Sequence, residues 1–460
     1  MHQYNKALYL FRRDLRLDDN TTFLRATAQS KTIIPCFIFD PIQIEEKNEY
    51  RSLHAIQFMI ESLKDLEQQI SKHEGKLQIF YGKTIDILEK LINLEKIEAV
   101  FFNKDYTPFS SKRDHAIEVL CNKLGIACIA IDDALLNPPE KILNKSGKPY
   151  TVFTPYWKTA ILNPVNQPKK YLGKNLYSQK IEIAETDKIF KSILPKVDTN
   201  TAQKGGRAEA LHILKHLDNF NHYEKTRDIP SKHTTELSAH IKFGTISIRE
   251  VYYAMLEKLG RSAHQGLIRQ LYWHDFYYQI AFHWPTVFGA PFQEKYNNIK
   301  WSYNKEHFQR WCEGVTGFPI VDAGMRQLNK TGFMHNRVRM IVASFLTKDL
   351  LIDWQWGERY FAQHLVDYDP CVNNGNWQWA ASTGCDPQPY FRIFNPWLQQ
   401  EKFDPECTYI KEWIKELSHV DPKIIHNWHK ETKPSPDYPK PIVDHATQKD
   451  LALKMFKACK

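Results

Sequence analysis

Residues 7–11, ALYLF, and residues 33–39, IIPCFIF, are short apolar runs rich in branched and aromatic side chains. LQIFY (77–81), IEAVFF (97–102) and IACIAI (126–131) continue the series, and helical patterns separate the runs, the longest being SLHAIQFMIESLKDLEQQISKHEG at 52–75. An apolar run without alternation suits a strand buried on both faces, and strands alternating with helices build a parallel sheet covered by helices. Residues 1–135 are therefore expected to form a five-stranded parallel, doubly wound (Rossmann-like) α/β domain. The first run leads into RRDLRLDDN (12–20) and not into a glycine fingerprint, so a nucleotide cofactor is expected elsewhere.

Residues 136–202 include NPPEKILNKSGKPY (137–150) and NPVNQPKK (163–170), whose prolines and polar residues suit a long interdomain connection. From residue 203 strand signals fade, and helical patterns run to about residue 420. Residues 203–460 are expected to form a large, almost entirely helical domain.

No segment reaches the roughly 20 apolar residues that span a bilayer, and MHQYNKALYLFRRDLR (1–16) lacks the long apolar run of a secretory signal. A cytoplasmic protein without membrane contact is expected. The eight cysteines, at 36, 121, 128, 312, 371, 385, 407 and 459, form no CxxC pair, which argues against zinc or iron–sulfur ligation. A formal charge of +9 favours approach to a polyanion, and 12 Trp, 22 Tyr and 26 Phe offer stacking surfaces for flat ligands or bases. An aromatic-rich core in a basic protein has the same totals.

Three stretches of the helical part carry chemistry. DYDPCVNNGNWQWAASTGCDPQPYF (367–391) joins two acids, adjacent asparagines and two tryptophans, turn formers beside residues that favour burial, as around a large ligand. HTTELSAHIKFGTISIRE (233–250) sets Thr234, Thr235 and Ser238 ahead of an apolar run, which suits a helix cap, the commoner meaning, or a phosphate site. GFMHNRVRMIVASFLTKDLLIDW (332–354) predicts a helix from Phe333 with Asn336, Arg339, Met340 and Ala343 on one face. That face suits a cavity floor or an ordinary amphipathic boundary.

Together, TGFPIVDAGMRQLNKTGFMHNRVRM (316–340), FLTKDLLIDWQWGERYF (345–361), NNGNWQWAASTGCDPQPYFRIFNP (373–396) and LFRRDLRLDDN (10–20) resemble the photolyase/cryptochrome family, in particular its class I cyclobutane pyrimidine dimer photolyases. The resemblance covers nearly the whole chain. It implies an α/β antenna-binding domain, a long linker and a helical domain holding FAD in a bent form. By the same resemblance Asp367 and Asp369 lie along the flavin, and Asn373 faces the reactive edge of its central ring. There the Asn373 amide accepts a hydrogen bond from a protonated ring nitrogen and favours the reduced forms. Thr234, Thr235, Leu237 and Ser238 match a phosphate-binding segment, and Tyr223, His274 and Arg339 adjoin the cofactor. Trp377, Trp354 and Trp301 match an electron relay, with Trp301 as its exposed end.

On the substrate side the resemblance implies that Trp273 and Trp379 stack on the paired thymines and that Met340 lies beside them. Arg227, Gln270, Asn336, Arg337 and Arg339 would meet the lesion or the DNA backbone once the dimer is flipped out of the duplex. The implied activity is light-driven repair of UV-damaged DNA by a monomeric carbon–carbon lyase. A cryptochrome-type blue-light photoreceptor and a flavoprotein that binds DNA without repair are the alternatives.

Two positions depart from the family pattern: Gln270 stands where dimer photolyases usually carry glutamate, and His274 replaces a more usual arginine. NKDYTPFSSKRD (103–114) departs from the Asn–Glu pair of folate-binding relatives. Asp105 and Lys242 resemble positions used by relatives that bind 8-hydroxy-deazaflavin, although Thr107 replaces their acid. That chromophore or another flavin is expected as antenna in preference to methenyltetrahydrofolate; both charges would equally suit a solvated surface.

Overall fold

The structure, a computed structural model, describes residues 2–183, 201–430 and 437–459; residues 184–200 of the expected connection lie outside them. Strands β1 (Tyr4–Phe11), β2 (Ser30–Phe39), β3 (Gln78–Tyr81), β4 (Ala99–Asn103) and β5 (Ala127–Ile131) form one parallel sheet in the order β3-β2-β1-β4-β5. Each apolar run supplies one strand. Ala7 to Phe11 of the central β1 are all buried, because helices cover both faces. Pro35 pairs with Tyr9 but falls one position before the β3 ladder begins at Cys36, so its missing N–H interrupts no bond to β3.

Strand order reverses between β1 and β4, and in open parallel sheets a crevice lies beyond the carboxyl ends of the strands at such a point. Arg12 and Arg13 follow β1 there, and Lys104 and Asp105 follow Asn103 of β4.

The proline-bearing connection is packed on both sides. Tyr171, Leu176 and Ile181 are buried against the sheet, with Leu176 bridging Ile33, whereas Phe153, Tyr156 and Ala160 of the helix Phe153–Ala160 are buried among the later helices. From Arg207 onward the described residues form helices and loops, with one isolated bridge between Ser302 and Ile352.

Helical structure extends past residue 420, where the sequence pattern ended, through the helix His445–Lys457. Only Ala452 and Phe456 of that helix are buried, too few to write an apolar stripe. Its attachments are specific instead: His445 Nδ1 lies 2.5 Å from Asp349 Oδ1, and Lys348 Nζ sits 3.5 Å above the Phe456 ring. The helix expected from Phe333 begins at Asn336, because the His335 ring accepts a bond from Arg337 N at 3.2 Å and caps it. It continues into a π-helical turn, Phe345–Asp349.

Buried ion pairs join the sheet to the helices. Arg16 and Arg249 both donate to Asp133, and Arg249 Nε donates to Asp19 at 2.8 Å. Burial by itself raises a carboxyl's pKa, but the two guanidiniums hold Asp133 well below the ordinary carboxylate range.

Beside this cluster Gly244 ends the helix Ser238–Phe243 with φ +63°, and a Cβ there would lie 2.3 Å from Arg13 O and 2.5 Å from Asp14 Cα. Gly244→Ala therefore combines left-handed strain with a backbone clash. It is expected to lower stability by about 2–4 kcal/mol, read from the urea midpoint at unchanged slope.

Candidate functional site

Residues 367–391 wind into the helix Pro370–Ala381. Asp369 is its N-cap: Oδ1 accepts from Val372 N at 3.0 Å, and Pro370 occupies the first turn, where no N–H is needed. The other oxygen accepts from Tyr278 Oη at 2.5 Å and from Arg13 at the end of β1. Three donors converge on a carboxylate with about four lone-pair positions, which leaves room for one more.

One turn on, Asn373 is buried and its Nδ2 donates to Glu358 O at 3.1 Å. Its carbonyl oxygen is left without a protein partner among the described residues. Trp377 lies against Gly357, where a Cβ would sit 2.1 Å from the indole Cη2, with Phe361 edge-on at 4.9 Å. Trp354 opens the helix Trp354–His364 and is buried in the same apolar cluster. Trp301 is half-buried and not the exposed end expected, because Phe456 of the C-terminal helix packs edge-on against it at 6.0 Å. Ser302 N donates to Leu351 O at 2.7 Å, which ties the Trp301 segment to the turn leading into Trp354.

Arg339 makes a two-pronged bond to Asp367, at 2.9 and 3.2 Å, while its Nε donates to Met334 O at 2.7 Å. Ser238 Oγ donates to the same carboxylate at 2.7 Å. The simple cap meaning of 234–238 therefore does not hold: Leu237 stands at the N-cap, and no side chain caps the short helix that follows. Thr234 and Thr235 are half-buried ahead of it.

On the neighbouring face, Trp273 stacks on Phe153 at 3.6 Å and 8°, with Tyr277 at 5.6 Å. Its helix, Arg261–His283, touches the Asn373 helix directly: a Cβ on Gly375 would lie 2.0 Å from the Tyr277 ring. Gln270 Nε2 donates to Gly266 O at 3.3 Å, and Glu224 lies against Gly266, where a Cβ would sit 1.6 Å from its Oε1. The absent side chain at 266 thus admits a carboxylate one turn from Gln270. Tyr223 and Arg227 flank it, with the Arg227 guanidinium 5.6 Å from the Tyr223 ring. Asn336 Nδ2 lies 3.8 Å from Met340 Sδ, and Trp379 is half-buried with its carbonyl accepting from Gln388 N at 3.2 Å. Arg337 pairs with Asp228 at 2.7 Å and covers the Phe403 ring at 4.4 Å.

Asp105 and Lys242 meet in the crevice at the strand reversal, which Arg12, Arg13, Arg16, Ile241, His274 and Tyr278 also line. Neither charge is a solvated surface group. Burial would raise the Asp105 carboxyl, but Arg13, Arg113 and Arg12 hold it well below the ordinary range. Burial, reinforced by Arg13, pushes the Lys242 amine down to about 7. His274 sits in this cleft, its ring 4.6 Å from that of Tyr278.

A family model for the FAD-binding domain of DNA photolyase matches residues 267–458, and one for DNA photolyase matches residues 7–169. The chain belongs to the DNA photolyase family. A photolyase relative, the deoxyribodipyrimidine photo-lyase of Alkalihalophilus pseudofirmus, is 37% identical over 477 residues, spanning 98% of each chain. Among solved photolyases, the archaeal enzyme from Sulfolobus tokodaii with two FAD molecules is 40% identical, with a TM-score of 0.89 over 98% of this chain and all of that one. A Synechocystis cryptochrome superposes with a TM-score of 0.90 at 26% identity, covering 99% of each. The fold is the photolyase fold, an α/β sheet domain joined to a helical FAD-binding domain.

The residues present fit FAD. A buried amide with an open carbonyl oxygen suits a ring N–H, and the Ser238, Thr234 and Thr235 hydroxyls with Arg339 suit the polar chain. His335 Nε2, buried without a partner at the foot of the Arg339 helix, adds an orphaned polar atom on that side. Sequence reasoning missed Arg13, Tyr278 and Glu358. Arg13 and Tyr278 pair with Asp369 across long chain separations that no local spacing signals. Glu358, within the helix Trp354–His364, reads as an ordinary polar helix residue.

No helix among the described residues is long and apolar enough to cross a membrane.

Glu358 is buried beside Asn374, and burial pushes its carboxyl up to about 7 from an ordinary 4.5. A carboxyl whose pKa rises on folding contributes stability that is full below the unfolded value and is lost as pH climbs through the folded one. Glu358→Gln is therefore expected to shrink the fall in stability between pH 4.5 and about pH 7.5 by up to about 3 kcal/mol, measured by urea unfolding at each pH.

Proposed function

We propose that this chain is a deoxyribodipyrimidine photo-lyase, repairing cyclobutane pyrimidine dimers in UV-damaged DNA with light and bound FAD. The observation that carries the reading is the helix Pro370–Ala381, which sets a buried amide with a free oxygen, Asn373, one turn before a buried indole, Trp377, within the matched FAD-binding domain. Near-full-length relatives named deoxyribodipyrimidine photo-lyase support it.

Bound FAD supplies the light-driven one-electron chemistry that opens the cyclobutane ring. Asn373 accepts a hydrogen bond from the flavin ring edge, Asp367 and Asp369 line the ring, and Ser238, Thr234, Thr235 and Arg339 hold its polar chain. Leu237, Tyr223 and His274 complete the contacts. Trp377, Trp354 and Trp301 relay electrons inward. Trp273 and Trp379 stack on the flipped-out bases, and Met340, Asn336 and Gln270 meet the lesion. Arg227, Arg337 and Arg339 steer the backbone, Arg337 exchanging its Asp228 partner for phosphate. Asp105 and Lys242 hold an antenna, and the two flavins of the Sulfolobus tokodaii structure favour a second flavin over a folate. The chain divides at residues 135 and 203, and it acts as a monomer in the cytoplasm.

Reduced, FAD-loaded protein is expected to remove thymine dimers from DNA under blue light and not in the dark; no loss under illumination would leave the photoreceptor reading. Trp301→Phe should slow photoreduction of oxidised flavin while sparing repair by chemically reduced enzyme, since the relay reloads the cofactor and does not touch the lesion. Gln270→Glu should raise repair per absorbed photon at unchanged flavin content; an unchanged yield would show that Glu224 beside Gly266 already meets the need for a carboxylate.

A further inference from the structure

Arg13 lies 356 positions before Asp369, and its side chain spreads across both halves of the molecule. Nε donates to Lys242 O at 3.2 Å, and NH1 lies 3.4 Å from each oxygen of Asp105. NH2 donates to Tyr278 Oη at 2.7 Å and to Asp369 Oδ2. Asp369 passes the constraint on. Its Oδ1 caps the helix Pro370–Ala381, and its backbone carbonyl accepts the Asn373 N–H at 2.8 Å. The guanidinium is planar and rigid, and with Nε held by Lys242 O and NH1 by Asp105, the NH2 that bonds Asp369 has little freedom to shift.

We propose that Arg13 is a positioning residue for the flavin edge: anchored in the interdomain cleft, it fixes Asp369 and, through that cap, the placement of Asn373 and Trp377. The proposal rests on the reading that Asn373 faces the flavin. On this account the sheet domain completes the FAD site by reaching into it. The competing explanation is that Arg13 merely docks the two halves. Arg249 does that elsewhere in the interface, bonding Asp133 and Asp19 without touching Asp369, which separates the two roles.

The test uses full-length protein carrying Arg13→Gln, Arg13→Lys, Asp369→Asn, Arg249→Gln or Asn373→Ala. FAD affinity is measured by equilibrium dialysis in the dark, together with the fine structure of the bound flavin's visible band and thermal unfolding of the apoprotein. Asparagine still caps a helix but carries no charge, so Asp369→Asn removes the ion pair and keeps the cap. Arg13→Gln and Asp369→Asn are each expected to weaken FAD binding about tenfold and blur the band, with the double variant no worse than either. Arg13→Lys keeps the charge without the planar group, so it should recover only part of the affinity and leave the band blurred; full recovery of both would overturn the proposal. Arg249→Gln should lower the unfolding temperature and leave affinity and band unchanged. Equal loss of FAD affinity in Arg13→Gln and Arg249→Gln would reduce Arg13 to docking and overturn the proposal. So would an unchanged band in Arg13→Gln while Asn373→Ala alters it. An unchanged band in Asn373→Ala removes the flavin-facing reading itself, and the proposal with it.

Discussion

Asp133 accepts bonds from Arg16 of its own domain and from Arg249 of the helical part, and all three side chains are buried. A buried charge stripped of its partner costs several kcal/mol, so such a cluster tolerates one docking geometry and penalises its neighbours. Asp19 binds Arg249 and Ser247 in the same layer, and Arg207 extends the layer to Glu250 and Asp18. The sheet and the helices are therefore registered against each other by directional bonds. A greasy contact would fix their separation but not their alignment.

That registration turns the strand reversal into a chemical site. The crevice beyond β1 and β4 would be an open mouth in an isolated sheet; here Lys242, His274 and Tyr278 roof it. Two groups in it are held below their ordinary pKa for different reasons: the Lys242 amine by loss of water, and the Asp105 carboxyl, against its burial, by the guanidiniums of Arg13, Arg113 and Arg12. The same roof carries Tyr278 to Asp369, so the cleft and the start of the helix Pro370–Ala381 have a wall in common.

The sheet was legible in the sequence because burial on both faces writes uninterrupted apolar runs, and all five runs became strands. The family and its helical FAD-binding domain were legible through a long, ordered resemblance. Other features were not. The helix His445–Lys457 buries two apolar residues and is held through His445 to Asp349 and through Phe456 to Lys348, Tyr296, Trp301 and Tyr390, contacts that leave no periodic trace. The resemblance made Trp301 an exposed end, and nothing in the local pattern placed Phe456 of this helix against it. The hydroxyls at 234–238 suited a cap or a phosphate site by spacing and only the resemblance favoured the second; that Ser238 bonds Asp367, 129 positions away, no local pattern signals. Asp105 and Lys242, ambiguous as isolated charges, line one crevice only because the topology brings the end of β4 and the helix Ser238–Phe243 together.

Gly357 and Trp377 share one volume: the indole fills the space that a methyl group at 357 would need. The two positions should therefore covary among homologues. A lineage that keeps the indole is held to glycine at 357, and one that replaces it with a smaller ring or an aliphatic chain is released to gain a side chain there. Glycine at 357 is then a molecular fossil of the indole packed against it, readable in a bare sequence.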